Sequence, residues 1–159
     1  MDVFDSNVWI YGLTQSCDEA VELVEKVVTT PYHVGVNAYI FDEVMQNLRR
    51  SERPGERIDR IQTRFADIVH DTHTVHGPTQ SEISRMDVED RRSDPWVGTL
   101  SELLGVQEKD VPIVVFAHDC ASDHDAPPTT IFTADQDFAA ASPGEYFRDV
   151  DVAFVDCSE

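Results

Sequence analysis

Short apolar runs alternate along this chain with stretches whose apolar residues recur every three or four positions, the pattern of strands followed by amphipathic helices. Val3-Phe4 reads as a first strand that runs into Asp5 and then, through Ser6 and Asn7, into a helical turn at Val8-Trp9. Asp18 to Val28 carries Val21, Leu23, Val24, Val27 and Val28 at helical spacing, and Pro31 ends it. Tyr32 to Val36 is β-prone, and Asn37 stands where a cap belongs before a helix over Ala38 to Arg50 with Ile40, Val44 and Leu48 on its buried stripe. Glu43 lies at the edge of that stripe and can face inward.

Pro54 and Gly55 interrupt the chain, and a helix is expected from Glu56 to Val69 on Ile58, Ile61, Phe65 and Ile68. Asp71 to Gly77 is a candidate strand, Thr79 to Arg92 a polar helix, and Pro95 opens a helix over Trp96 to Leu104 that Gly105 ends. From Asp110 to Cys120 the pattern is again helical, with Pro112 tolerable in the first turn and Asp110 on the same stripe as Ile113, Val114 and Ala117. Ala121 to Pro128 reads as an acidic loop, Thr130-Ile131-Phe132 as a strand, and Val152 to Val155 as the last strand. Strand and helix in alternation predict an α/β protein, a mostly parallel sheet covered by helices on both faces. At 159 residues the chain is expected to be one domain spanning 1–159.

This pattern gives meaning to the acids. In an open parallel sheet the carboxyl ends of the strands line the ligand crevice. Asp5 follows the first strand, Asp110 begins a helix, Asp135 follows a late strand, and Glu43 sits on a central helix. Asp5 and Asp110 also suit plain helix capping. Gathered in one crevice, however, four carboxylates raise one another's pKa, and all-oxygen ligands of this kind suit Mg²⁺ or Mn²⁺. Such a site activates water for in-line attack on a phosphodiester.

The opening Asp5-Ser6-Asn7, the helical Glu43, the run Asp110-Val111-Pro112-Ile113-Val114-Val115-Phe116-Ala117 and the signature Thr133-x-Asp135-x-Asp137-Phe138 together resemble the PIN-domain family, which includes the VapC-type toxins. The resemblance spans almost the whole chain. It implies a three-layer α/β/α sandwich and a metal-dependent endoribonuclease holding Mg²⁺ or Mn²⁺ with Asp5, Glu43, Asp110 and Asp135, with Asp137 as an additional acid and Asn7 and Thr133 in support. The partners it implies are RNA and, for a toxin, a small antitoxin, with a homodimer as a further assembly. An RNA-processing nuclease without antitoxin and a catalytically silent binding module are the alternatives. A phosphatase with an aspartate nucleophile would want an acid two residues after Asp5, where Asn7 stands.

Charge changes the picture in two ways. There are 31 Asp and Glu against 12 Lys and Arg, a net charge of −19, and only Lys26 and Lys109 are lysines. This resembles the acid-rich, lysine-poor composition of proteins from salt-accumulating halophiles, in which concentrated salt screens the self-repulsion. Second, cations cluster: Arg57, Arg60 and Arg64 fall on the outward face of the Glu56–Val69 helix and are the candidate RNA contacts.

The remaining features carry less. Cys17, Cys120 and Cys157 are odd in number and far apart, which suggests reduced cytosolic thiols rather than a disulfide framework or a zinc site. His70, His73 and His76, and His118-Asp119-Cys120 with Asp123-His124-Asp125, are read as solvent-facing polar side chains rather than a transition-metal site, and Trp9 and Trp96 as core or interface anchors. No apolar run approaches the length of about 18 residues that spans a bilayer, so a cytoplasmic, membrane-free protein is expected.

Overall fold

In the computed structural model, which describes residues 1–122, 128–141, 143 and 146–158, the predicted alternation becomes a five-stranded, entirely parallel sheet. Strand β1 is Asp2–Phe4, β2 Val34–Gly35, β3 Val75–His76, β4 Thr129–Thr133 and β5 Val150–Phe154. Helices α1 (Ser6–Leu13) and α2 (Asp18–Thr29) connect β1 to β2, and α3 (Ala38–Arg49) and α4 (Gly55–Asp71) connect β2 to β3. Helices α5 (Gln80–Arg85), α6 (Val88–Arg92), α7 (Pro95–Leu104) and α8 (Val111–Ser122) precede β4, and α9 (Gln136–Ala140) precedes β5.

The strand order β3-β2-β1-β4-β5 means that the chain winds from β1 to one edge and then returns to build the other half. Parallel crossovers are right-handed, so this reversal places the earlier helices on one face and the later ones on the other, giving an α/β/α sandwich with a PIN-like fold. It also leaves a crevice between the carboxyl ends of β1 and β4, where the chain diverges to opposite faces. The ladder continues past β1, because Asp5 N–H donates to Phe132 O at 2.9 Å. That bond seats Asp5 beside Thr133 at the mouth of the crevice.

Val3, Phe4, Val8, Trp9, Ile40, Val44, Phe65, Ile113, Val114 and Ile131 fill the core. Trp9 packs with ring centroids 5.2 Å from both Phe4 and Phe65, as the anchor reading requires, whereas Trp96 is exposed. Helices α1 and α2 lie so close that a Cβ at Gly12 would stand 2.5 Å from Val24 Cγ2 and 2.8 Å from Ala20 O, so only glycine fits there. Gly105 ends α7 with φ +69°, the left-handed conformation that glycine adopts without cost.

Several boundaries differ from the sequence expectation. The polar segment expected as one helix over Thr79 to Arg92 is two, because Met86 turns extended and Asp87 accepts from Asp90 N at 3.1 Å to cap a new start. Helix α4 runs through Asp71, leaving β3 only two residues, and β2 is likewise shorter than Tyr32 to Val36. The thiols need the largest correction: Cys17 and Cys157 form a disulfide across 140 residues, with Cα atoms 5.1 Å apart, while Cys120 is buried outside that bridge. Their spacing gave no hint because the pairing arises where the segment after β5 returns past the start of α2. His33 and His76 rings approach to 2.9 Å, and His70 lies against Phe41 and Gln80. Asp123, His124 and Asp125 lie outside the described residues. Among the described residues, no helix is long and apolar enough to cross a membrane.

Candidate active site

Three of the four candidate acids stand at the end of an element, and Glu43 stands inside a helix. Asp5 is the N-cap residue of α1; its Oδ1 accepts from Ser6 N at 2.7 Å, and its Oδ2 accepts from Thr133 Oγ1 at 2.8 Å. Capping and site chemistry therefore share one side chain. Asp135 caps α9, its Oδ1 accepting from Asp137 N at 2.9 Å and Phe138 N at 3.3 Å, while Oδ2 lies 4.0 Å from Lys109 Nζ. Asp110 closes the 3-10 turn Glu108–Asp110 that leads into α8. Glu43 occupies the second turn of α3; its Oε1 accepts from Ser6 Oγ and its Oε2 from Arg92 Nη2.

Thr133 ties the two sides of the crevice together. Its hydroxyl donates to Asp5 and accepts from Asp135 N at 3.1 Å and from Asn7 Nδ2 at 3.4 Å, while Asn7 Oδ1 accepts from Ala134 N at 3.1 Å. Asn7 and Thr133 thus fix the turn after β4 against the start of α1. Asp137 stands apart: it is exposed on the first turn of α9, and its backbone N–H, not its carboxylate, bonds to Asp135.

Burial and mutual repulsion dominate the electrostatics. Asp5, Glu43 and Asp110 are buried, at 4, 7 and 3% exposure. Desolvation pushes the Asp110 carboxyl up to about 7, with the charge of Asp5 adding most after it, Lys109 pulling back, and Asp135 and Glu43 adding further repulsion. Desolvation likewise raises Asp5 to about 6, against the Thr133 hydrogen bond and with repulsion from Glu43. These mutual effects join all four acids into one group. A desolvated carboxylate repelled by three others is what a hard divalent cation would satisfy, and an all-oxygen donor set is of the kind such an ion takes. As the side chains lie, no three Asp, Glu, His or Cys groups among the described residues converge to ion-holding distance. Glu43 is drawn to Arg92 and Ser6, and Asp135 to its helix and Lys109.

Ser6, Arg92 and Lys109 were not singled out from the sequence as site residues. Arg92 lay in a polar stretch whose periodicity gives no tertiary position, and Tyr39, which accepts from Arg92 Nε at 2.9 Å, read only as a helical residue. Tyr39 also lines a cleft of about 340 Å³ with Asn37, Arg85, Arg91, Trp96 and Phe116. Arg57, Arg60 and Arg64 are exposed on α4 as expected, but they flank Leu13 and Gln15. That is the end of α1 opposite Asp5, roughly 12 Å along the helix axis.

A doubly wound parallel sheet with acids at its switch point defines the class of fold. Among solved structures, the chain is similar to one in the crystal structure of VapBC2 from Rickettsia felis bound to a DNA fragment from their promoter, with a TM-score of 0.53 over 97% of this chain and 98% of that one. Sequence identity is 11%, so the likeness is one of fold. No protein-family model matches the chain, and no curated protein matches its sequence.

Proposed function

We propose that this protein is a metal-dependent endoribonuclease that hydrolyses RNA phosphodiesters, with Asp5, Glu43, Asp110 and Asp135 as the carboxylates around Mg²⁺ or Mn²⁺. The observation that carries the reading is that these four acids lie near enough at the sheet's switch point to act on one another's charge, Asp5 and Asp110 being raised to about 6 and 7, although as the side chains lie no three of them meet at ion-holding distance. Carboxylates that repel one another in a desolvated crevice suit a cation better than they suit folding. When bound, the ion supplies a water of lowered pKa and stabilises the leaving oxygen.

The chain's own groups do the positioning. Asp110, buried and raised by its neighbours, is the carboxylate that would bind the ion directly or take a proton from water. Asp5 is held by Thr133 and Ser6, so its orientation is fixed before substrate arrives. Lys109 beside Asp135 and Arg92 beside Glu43 are the cations next to the acids that would contact the phosphate of an RNA strand. The cleft beside Tyr39, with Arg85, Arg91 and Trp96, offers cationic and aromatic contacts along the strand's path.

VapBC2 is a complex bound to DNA of its promoter. Together with the PIN resemblance, this supports a toxin whose small antitoxin covers the crevice; a homodimer and a cytoplasmic site of action complete the reading. A catalytically silent module is favoured by one observation, the occupation of both Glu43 oxygens by Ser6 and Arg92. Cleavage of structured and unstructured RNAs in molar salt, with Mg²⁺, with Mn²⁺ and with chelator, separates the two. Cleavage that requires the ion and is lost in Asp5→Asn, Glu43→Gln, Asp110→Asn and Asp135→Asn supports the enzyme; cleavage that persists with chelator or in all four variants refutes the metal site.

A further inference from the structure

Glu43 is buried, and both of its oxygens are used inside the chain. The cation it faces, Arg92, is built to leave. Arg92 is the last residue of the five-residue helix α6, its side chain is 27% exposed, and Glu89, three residues back and 73% exposed, already lies 3.5 Å from its other terminal nitrogen. Rotation of one side chain, with no movement of an element, would exchange a buried carboxylate for a solvated one. Tyr39 holds Nε of the same guanidinium at 2.9 Å and so keeps it at the rim of the site.

Resting on the metal-site reading, we propose that Arg92 is a positioning residue with two stations. It holds Glu43 until a divalent ion takes that carboxylate, and once displaced it contacts a phosphate of the bound RNA. Two consequences run in opposite directions. Removing Arg92 removes the ion's competitor, so the ion binds more tightly; it also removes a phosphate contact, so RNA binds the ion-loaded protein more weakly. A purely structural lesion would weaken both.

The experiment measures Mn²⁺ binding calorimetrically in molar KCl, and binding of a phosphorothioate RNA, checked by gel to stay intact through the titration, with and without Mg²⁺, for the native protein, Arg92→Gln and Arg92→Lys. Arg92→Gln is expected to bind Mn²⁺ about tenfold more tightly or better, the worth of one charge-assisted hydrogen bond. It should bind the RNA several-fold more weakly with Mg²⁺ and unchanged without it, with Arg92→Lys between. Unchanged Mn²⁺ affinity, or a loss in both measurements, overturns the two-station role while leaving the metal site standing. Absence of Mn²⁺ binding in the native protein and both variants overturns the metal site and this role together. Should Arg92→Gln fail to fold, the native protein decides: the Arg92 Nε–H resonance must shift on saturation with Mg²⁺, and an unmoved signal overturns the proposal.

Discussion

Asp110→Asn should stabilise the metal-free protein at alkaline pH. The carboxyl is raised from 3.8 to about 7, so the folded chain binds more protons than the unfolded one between those values. Its favourable contribution is therefore complete below about pH 4 and is lost as pH rises through 7. Three pKa units at 1.36 kcal/mol each give roughly 4 kcal/mol of destabilisation well above pH 7. Part of that is repulsion shared with Asp5, itself raised to about 6, so about 3 kcal/mol remains for the single substitution. For a domain of this size that corresponds to roughly 6–12 °C in Tm. The assay is thermal unfolding by circular dichroism in molar KCl with chelator, from pH 4 to 8, native against variant. At pH 4 both carry a neutral group at this position and their curves should coincide; at pH 8 the variant should melt higher. Saturating Mg²⁺ should raise the native protein and leave the variant nearly unmoved. A variant that melts no higher at pH 8, or a gap that is the same at pH 4, refutes the account of a desolvated carboxylate repelled by its neighbours.

Cys17→Ser should lower stability by about 2–4 kcal/mol under oxidising conditions and by nothing under reducing ones, and thiol titration of the unfolded oxidised protein should find only Cys120. Removing Arg57, Arg60 and Arg64 together should leave the fold intact, since all three are exposed, and lower the slope of log RNA affinity against log salt by about 0.7 per lost contact. An unchanged slope would place the strand along the Arg85–Arg91 cleft instead. With a net charge of −19, the domain should lose structure as salt falls from molar to millimolar; a melting temperature constant over that range contradicts the halophilic reading.

The periodicity of the chain determined most of the element order and the parallel sheet, because buried faces must repeat with the geometry of the element that carries them. Junction chemistry singled out the four acids as candidates: a carboxylate directly after an apolar run, or on a buried stripe, has few places to go. Asp5 and Asp135 show how far this reaches, since each caps a helix and lines the crevice with the same side chain. What surrounds the acids was decided only by tertiary structure. Arg92 reaches Glu43 across 49 residues and Thr133 reaches Asp5 across 128, and no local pattern encodes such distances. The Cys17–Cys157 bridge and the split of the Thr79–Arg92 segment were decided in the same way. Polar and cysteine partners are chosen by which surfaces the winding of the sheet brings together, whereas apolar spacing is imposed residue by residue along the chain itself.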